Sequence, residues 1–268
     1  MTETATAPVQ EEQGTPVLEA RDVAVHFGGV KAVDGLSMTL RAGKIYGILG
    51  PNGSGKTTLL GAMTRMTQLT RGELLFDGEE YHKVPAAQVA KKRVARTFQT
   101  VRLLPDLTVR DNIQLGADAR TTEESSSPGL LRTMFGRGIS PAVADAISRT
   151  NLDGFEDYYP SELSYGTQRR VEIARAIAMN PRLLLLDEPT AGMNQKERAE
   201  ISRLLQSLRG EGLCQLLVEH DVQMMIDTCD YVFAMNFGHL IAEGTPGDVV
   251  RDPQVQEAYL GKKWREHA

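Results

Sequence analysis

Cysteine is almost missing from this chain: Cys214 and Cys229 are the only two in 268 residues. Two thiols cannot make a disulfide framework or a thiolate metal cage, and both read as small buried apolar residues of a reducing compartment. An excess of positive charge is also absent. Thirty Lys and Arg against 35 Asp and Glu leave a net charge of -5, which argues against broad electrostatic binding to nucleic acid and leaves only a local basic patch open. No apolar run approaches the ~20 residues of a membrane span. The amino terminus carries Glu3, Glu11 and Glu12 and lacks both a basic region and an apolar run, so it reads as no signal peptide. Any work at a membrane would therefore go through a partner. No internal repeat is visible, so the chain carries one functional module.

What is present has the balance of a globular protein, 41% hydrophobic and 24% charged, long enough for one large domain or two small ones. Residues 1 to 15 have little to bury and read as a disordered tail. From Pro16, Val17 to Phe27 and Leu36 to Leu40 read as strands joined through Gly28-Gly29, and Glu73 to Phe76 before Asp77-Gly78 adds a third. Together they suit an antiparallel sheet. The periodicity then turns helical over Ala86 to Lys92, Val109 to Leu115, Pro141 to Arg149 and Thr167 to Met179, a helical subdomain inserted at about 93–178. Ser125-Ser126-Ser127-Pro128-Gly129 places a surface loop within it, at 117–138. Leu130, Leu131, Met134 and Phe135 there could meet a partner or lipid, but packing on the subdomain is the better reading. An α/β pattern returns with strands at Leu183 to Leu186, Gln215 to Glu219, Tyr231 to Asn236 and His239 to Ala242. Asn194 and Glu197 offer a capping box for a helix with an Ile201, Leu204, Leu205, Leu208 stripe. Asp248 to Leu260 reads as terminal helical segments. Residues 261–268 form a tail whose Lys262, Lys263 and Arg265 are read as solvated.

One stretch carries a chemical commitment. Gly50-Pro51-Asn52-Gly53-Ser54-Gly55-Lys56-Thr57-Thr58 fits the phosphate-loop pattern of Gly, four variable residues, Gly, Lys, then Ser or Thr. Glycines let the backbone curl until successive N–H groups point at phosphate oxygens. Lys56 supplies a point charge, Thr57 can place a hydroxyl on Mg²⁺, and a helix opening at Gly55 turns its positive end to the anion. The setting is also the required one. Lys44 to Leu49 reads as a short buried strand before the loop, and Leu59, Leu60, Met63 and Met66 recur at helical spacing after it. Asn52-Gly53-Ser54 formally fits a glycosylation acceptor, a reading rejected because it lies inside this loop.

Leu183-Leu184-Leu185-Leu186-Asp187-Glu188 is a buried strand ending in two carboxylates. Beside a phosphate loop, Asp187 is placed to hold Mg²⁺ and Glu188 to orient or deprotonate an attacking water. Leu163-Ser164-Tyr165-Gly166-Thr167-Gln168 then precedes a helix at Arg169-Arg170-Val171-Glu172. This stretch resembles the signature motif of ATP-binding cassette (ABC) ATPases. The resemblance covers residues 17 to 260. It implies an α/β P-loop core with an antiparallel β subdomain and an inserted helical subdomain, and a dimer that sandwiches ATP and Mg²⁺ between one phosphate loop and the partner's signature.

Carried over by position, Ser164 and Gly166 would contact the γ-phosphate held by the opposite subunit; taken alone, Ser164 reads as a helix cap. Phe27 resembles the aromatic that stacks on adenine, though core packing explains a lone Phe equally well. Gln99, after Ala95-Arg96-Thr97-Phe98, matches the glutamine that approaches Mg²⁺ and water. His220, after Val218-Glu219, matches the histidine that contacts the γ-phosphate. Ala191-Gly192-Met193-Asn194 occupies the loop that crosses the dimer interface, with Asn194 where Asp is common. Ala95 to Leu103, the signature and Ile241-Ala242-Glu243-Gly244-Thr245-Pro246 look most like ATPase subunits of branched-chain amino-acid importers, with Thr167 in place of that group's Gln. The resemblance further implies membrane permease partners, docked near Gln99 and Leu103 to Leu107, an indirect link to a solute-binding protein, no nucleic-acid partner, and a cytoplasmic position on the inner face of the membrane. A soluble ABC ATPase of translation or DNA maintenance is the competing reading, against which stand the single cassette and the lack of long coiled coils.

Overall fold

The computed structural model describes residues 15–121 and 139–260. The expected amino-terminal tail, most of the 117–138 loop with its apolar cluster, and the 261–268 tail lie outside them.

Why a run such as Leu183–Leu186 forms a strand is visible in its neighbours. Strand β7 (Leu183–Asp187) lies between β8 (Cys214–Val218) and β6 (Val94–Arg96), parallel to both, and all five of its residues are buried. Strands covered on both faces need continuous apolar sequence rather than alternation. The six-stranded sheet runs β10-β9-β3-β8-β7-β6, where β3 is Ile45–Leu49, β9 Tyr231–Asn236 and β10 His239–Gly244. Only the β9–β10 hairpin is antiparallel in it.

Alternate residues of these strands feed two cores. Ile45, Leu49, Leu184, Leu186 and Leu217 face a helical layer. It comprises α2 (Val109–Thr121), α3 (Pro141–Arg149), α4 (Tyr165–Ala178) and α5 (Gln195–Gly210), following α1 (Lys56–Met63) in the chain. Tyr46, Ile48, Leu183, Leu185, Leu216 and Val218 face the other way, onto α1 and a second sheet. That sheet is antiparallel, in the order β2-β1-β4-β5, from β1 (Pro16–Phe27), β2 (Val30–Arg41), β4 (Arg71–Phe76) and β5 (Glu79–Glu80). The chain closes with α6 (Val222–Thr228), α7 (Pro246–Arg251), a helical turn at Pro253–Val255 and a π-helical turn at Gln256–Leu260.

Several elements depart from the periodicity reading. Helix α1 stops at Met63, so Met66 is 66% exposed rather than on an apolar stripe. The Thr64 hydroxyl donates to the carbonyls of Leu60 and Gly61, and Arg65 follows at φ 60, a left-handed residue that ends the helix. The expected helix at Ala86 to Lys92 is only a 3₁₀ turn at Ala86–Gln88, none of whose residues is buried. Val94–Arg96, assigned by sequence to the helical insertion, belongs to the six-stranded sheet as its edge. Three residues are too few to show a period. The signature helix starts at Tyr165, which brings Tyr165 and Gly166 into its first turn.

Helix α2 also runs through Gly116, where a propensity reading would end it. A Cβ at Gly116 would lie 1.9 Å from the Arg175 carbonyl oxygen of α4, so this glycine lets two helix backbones meet. Helix propensity alone would make Gly116→Ala stabilising by about 1 kcal/mol. The close approach predicts the opposite sign, a loss of roughly 1–3 kcal/mol from overpacking, measured by denaturant unfolding. A stabilised variant would contradict this α2–α4 contact.

Candidate active site

Because β3, β6, β7 and β8 are parallel, the loops leaving their carboxyl ends gather at one edge of the sheet. That edge is where open α/β sheets bind ligands. The phosphate loop follows β3, the segment to Gln99 follows β6, Glu188 follows β7 and His220 follows β8.

The phosphate loop is a tight cradle. Gly50, Gly53 and Gly55 serve different needs: Gly53 and Gly55 have φ of 80° and 104°, whereas a Cβ at Gly50 would sit 2.3 Å from the Met235 carbonyl oxygen. At Gly55 the left-handed backbone and the space fail together, with the Ala32 carbonyl oxygen 2.1 Å from a Cβ. Gly55 is the residue before α1, so the helix amino terminus opens into the loop as the sequence required. Pro51 is half-buried, Asn52, Gly53 and Thr57 are exposed, and Thr58 is partly covered. The Ser54 hydroxyl is buried with no hydrogen-bond partner among the described residues. The Lys56 side chain is 6% exposed and its ammonium donates to the carbonyls of Gly50 and Pro51 at 2.8 and 2.9 Å. Burial pulls its pKa below the usual lysine value, and the nearby Glu188 and Asp187 carboxylates partly oppose this.

Glu188 is the point on which side chains converge. It leaves the end of β7 at φ 46, a left-handed conformation uncommon for a glutamate. The Val218 carbonyl of β8 accepts its N–H at 2.8 Å. One carboxylate oxygen accepts from Gln99 Nε2 at 2.8 Å and the other contacts His220 Nε2 at 2.5 Å. Residues from the ends of three strands thus meet at one carboxylate.

Asp187 is buried and accepts from Arg96 Nη2 at 2.8 Å, an ion pair the sequence reading did not pick out. Arg169 is a second omission. Fully buried on α4, it donates to the carbonyls of Phe98 and Gln99, each at 2.6 Å, and pairs with Glu172. Its signal was available in sequence: a charged pair at i and i+3 on a helix otherwise facing the core. Arg169 therefore fixes the backbone from which the Gln99 side chain reaches Glu188.

The remaining residues stand apart from this cluster. Ser164 Oγ caps α4, accepting the Thr167 N–H at 3.3 Å, and Gly166 packs beside Glu197. The capping role is thus present, and it leaves the first turn of α4 beside a shallow groove lined by Thr167, Arg170 and Glu200. Asn194 and Glu197 exchange both bonds of the capping box at 3.0 Å. Phe27 is 55% exposed at the end of β1, which disfavours a core-packing role. Both cysteines are buried, as expected.

Among the described residues no cluster of three or more His, Cys, Asp or Glu could hold a metal by itself. Thr57, an exposed residue, and the Asp187 carboxylate are instead oxygen donors of the kind that Mg²⁺ takes together with substrate phosphates. The Ser54 hydroxyl, without a partner among the described residues, and the glycine-rich loop opening at the amino terminus of α1 fit a polyphosphate in the same way.

Known proteins resemble this chain along most of its length. The family described as ABC transporter matches residues 33–191, and that described as branched-chain amino acid ATP-binding cassette transporter matches residues 239–264. The high-affinity branched-chain amino acid transport ATP-binding protein BraF of Pseudomonas aeruginosa is 38% identical over 252 residues, covering 92% of this chain and 98% of that protein. LivG of Escherichia coli, with the same description, is 36% identical over the same shares. The lipopolysaccharide export system ATP-binding protein LptB of Escherichia coli is 31% identical, again over 92% and 98%. Among solved structures, a nucleotide-free ATP-binding cassette from an ABC transporter superposes with a TM-score of 0.79 at 29% identity, covering 92% of this chain and all of that one. A dimeric bacterial ABC transporter cassette superposes at 0.70 with 25% identity, covering 85% and 98%. A match over more than half the chain, and relatives above 30% identity along nearly all of it, lead to one assignment: the chain belongs to the ATP-binding cassette family of transporter ATPases.

Proposed function

We propose that this chain is the ATP-hydrolysing subunit of an importer of branched-chain amino acids or similar small polar solutes, bound to permease subunits at the inner face of the membrane. The observation that carries the hydrolytic reading is the Glu188 carboxylate, held between Gln99 and His220 at the mouth of a loop shaped for a triphosphate. The import reading rests on the match at residues 239–264 and on relatives named for branched-chain amino acid transport. A solute-binding protein would meet the permease rather than this chain. The soluble reading has no comparable support, since the matched relatives are transport proteins.

In this reading ATP enters with its phosphates against the N–H groups of residues 53–58 and its adenine against Phe27. The Lys56 ammonium, now on the carbonyls of Gly50 and Pro51, is within the same loop and turns to the phosphate oxygens. Thr57 and Asp187, with Gln99 nearby, would hold Mg²⁺, which when bound neutralises charge on the phosphates. Glu188 accepts a proton from water as the water oxygen bonds to the γ-phosphorus and the bond to the bridging oxygen breaks, releasing ADP. His220 and Gln99 keep that carboxylate aimed. Two cassettes, identical or related, complete the site, each presenting Ser164 and Gly166 of its α4 amino terminus to nucleotide on the other. Hydrolysis then releases the pair.

General-base removal costs about 10²–10⁴-fold in rate, so Glu188→Gln should nearly abolish turnover and leave ATP binding intact. Steady-state phosphate release with equilibrium nucleotide titration measures both; wild-type turnover would refute the assignment. Lys56→Ala should weaken binding as well as turnover. Unchanged nucleotide affinity in that variant would show that the loop does not hold phosphate through this residue.

A further inference from the structure

His220 is flanked in sequence by two acids, and both are tied to the loop that follows Glu188. Glu219 is 3% exposed, the last residue before His220 at the end of β8. One of its carboxylate oxygens accepts from Thr190 twice, from the backbone N–H at 2.7 Å and from the hydroxyl at 2.6 Å. The other accepts the His220 N–H at 3.3 Å. On the far side, Asp221 accepts the Met224 N–H at 3.0 Å to cap α6 and bonds Arg198 Nη1 through its second oxygen. Arg198 Nε in turn donates to the Met193 carbonyl at 3.0 Å. The segment Thr190–Met193 is therefore pinned at both ends to the two neighbours of His220, while Glu188 and His220 touch each other directly.

Burying a carboxylate is costly, and burial raises the Glu219 pKa even though its three donors favour the ionised form. An apolar residue would fill a strand end without that cost. Among the described residues the hydrogen bonds of Glu219 go to Thr190, two residues beyond Glu188, and to the N–H of His220, which is what a positioning residue looks like. We infer that Glu219, through Thr190, sets the register between the Glu188 loop and His220, so that the two side chains are aligned for water attack only when Thr190–Met193 is in place. Because that segment leads into Asn194 at the start of α5, displacing it, as a second cassette closing on it would, moves His220 relative to Glu188. Glu219 touches no substrate atom in this scheme; it acts through its two neighbours.

The inference rests on the hydrolytic reading above, and its test separates the two. ATP turnover and nucleotide affinity are measured on the full chain for wild type, Glu188→Gln, Glu219→Gln, Thr190→Val and Thr190→Ser. Misplacement of catalytic groups by about 1 Å costs up to ~10²-fold. Glu219→Gln and Thr190→Val should therefore lower kcat by about 10- to 100-fold, with KM and nucleotide affinity within about twofold of wild type. Thr190→Ser, which keeps the hydroxyl, should restore most of the rate. A merely structural role would lower stability and raise KM with no such split, and no rescue by serine. If Glu188→Gln is inactive while Glu219→Gln and Thr190→Val turn over like wild type, the clamp is wrong and the site reading stands. If Glu188→Gln is itself active, the site reading has failed.

Discussion

The site depends on where β7 stops. Four leucines buried on both faces hold that strand between β8 and β6, parallel to both, so its last residues cannot shift without moving two cores. Asp187 ends the strand still buried, and the next residue turns into left-handed backbone, held by the Val218 carbonyl of the neighbouring strand. That turn puts the Glu188 carboxylate within reach of groups from β6 and β8. Without the rigid strand, the same carboxylate would be an ordinary exposed acid.

A second consequence of the parallel sheet is that the loops have separate structural supports. The phosphate loop rests on glycines that exclude any side chain from the Ala32 and Met235 carbonyls. Gln99 is held from behind by Arg169, whose guanidinium grips two carbonyls from the interior of α4. Since α4 also presents Ser164 and Gly166 at its first turn, one helix carries both the surface proposed for the partner's nucleotide and the anchor of Gln99. A tilt of α4 therefore moves both. This is a mechanical link between the helical layer and the Glu188 carboxylate.

Much of this was legible in the sequence because it is local. The phosphate loop, the Leu-rich strand with its two acids, the capping box at Asn194 and Glu197, and the signature stretch each announce themselves within a few residues. What could not be read were pairings across long separations. Val94–Arg96 is a strand only because Leu183–Leu185 lies beside it. Arg96 meets Asp187 across 91 residues and Thr190 meets Glu219 across 29. Helix limits failed where one side chain or one contact overrode propensity, as at Thr64, which ends α1, and at Gly116, which continues α2.

In the function proposed above, this cassette holds half of each hydrolytic site and a second one completes it. The dependence of specific ATPase activity on chain concentration tests this most directly. If two copies assemble the site, activity per chain rises with concentration and levels off as dimer saturates. Constant activity per chain down to dilutions at which sedimentation shows only monomer would contradict the account, because the residues gathered around Glu188 would then suffice alone.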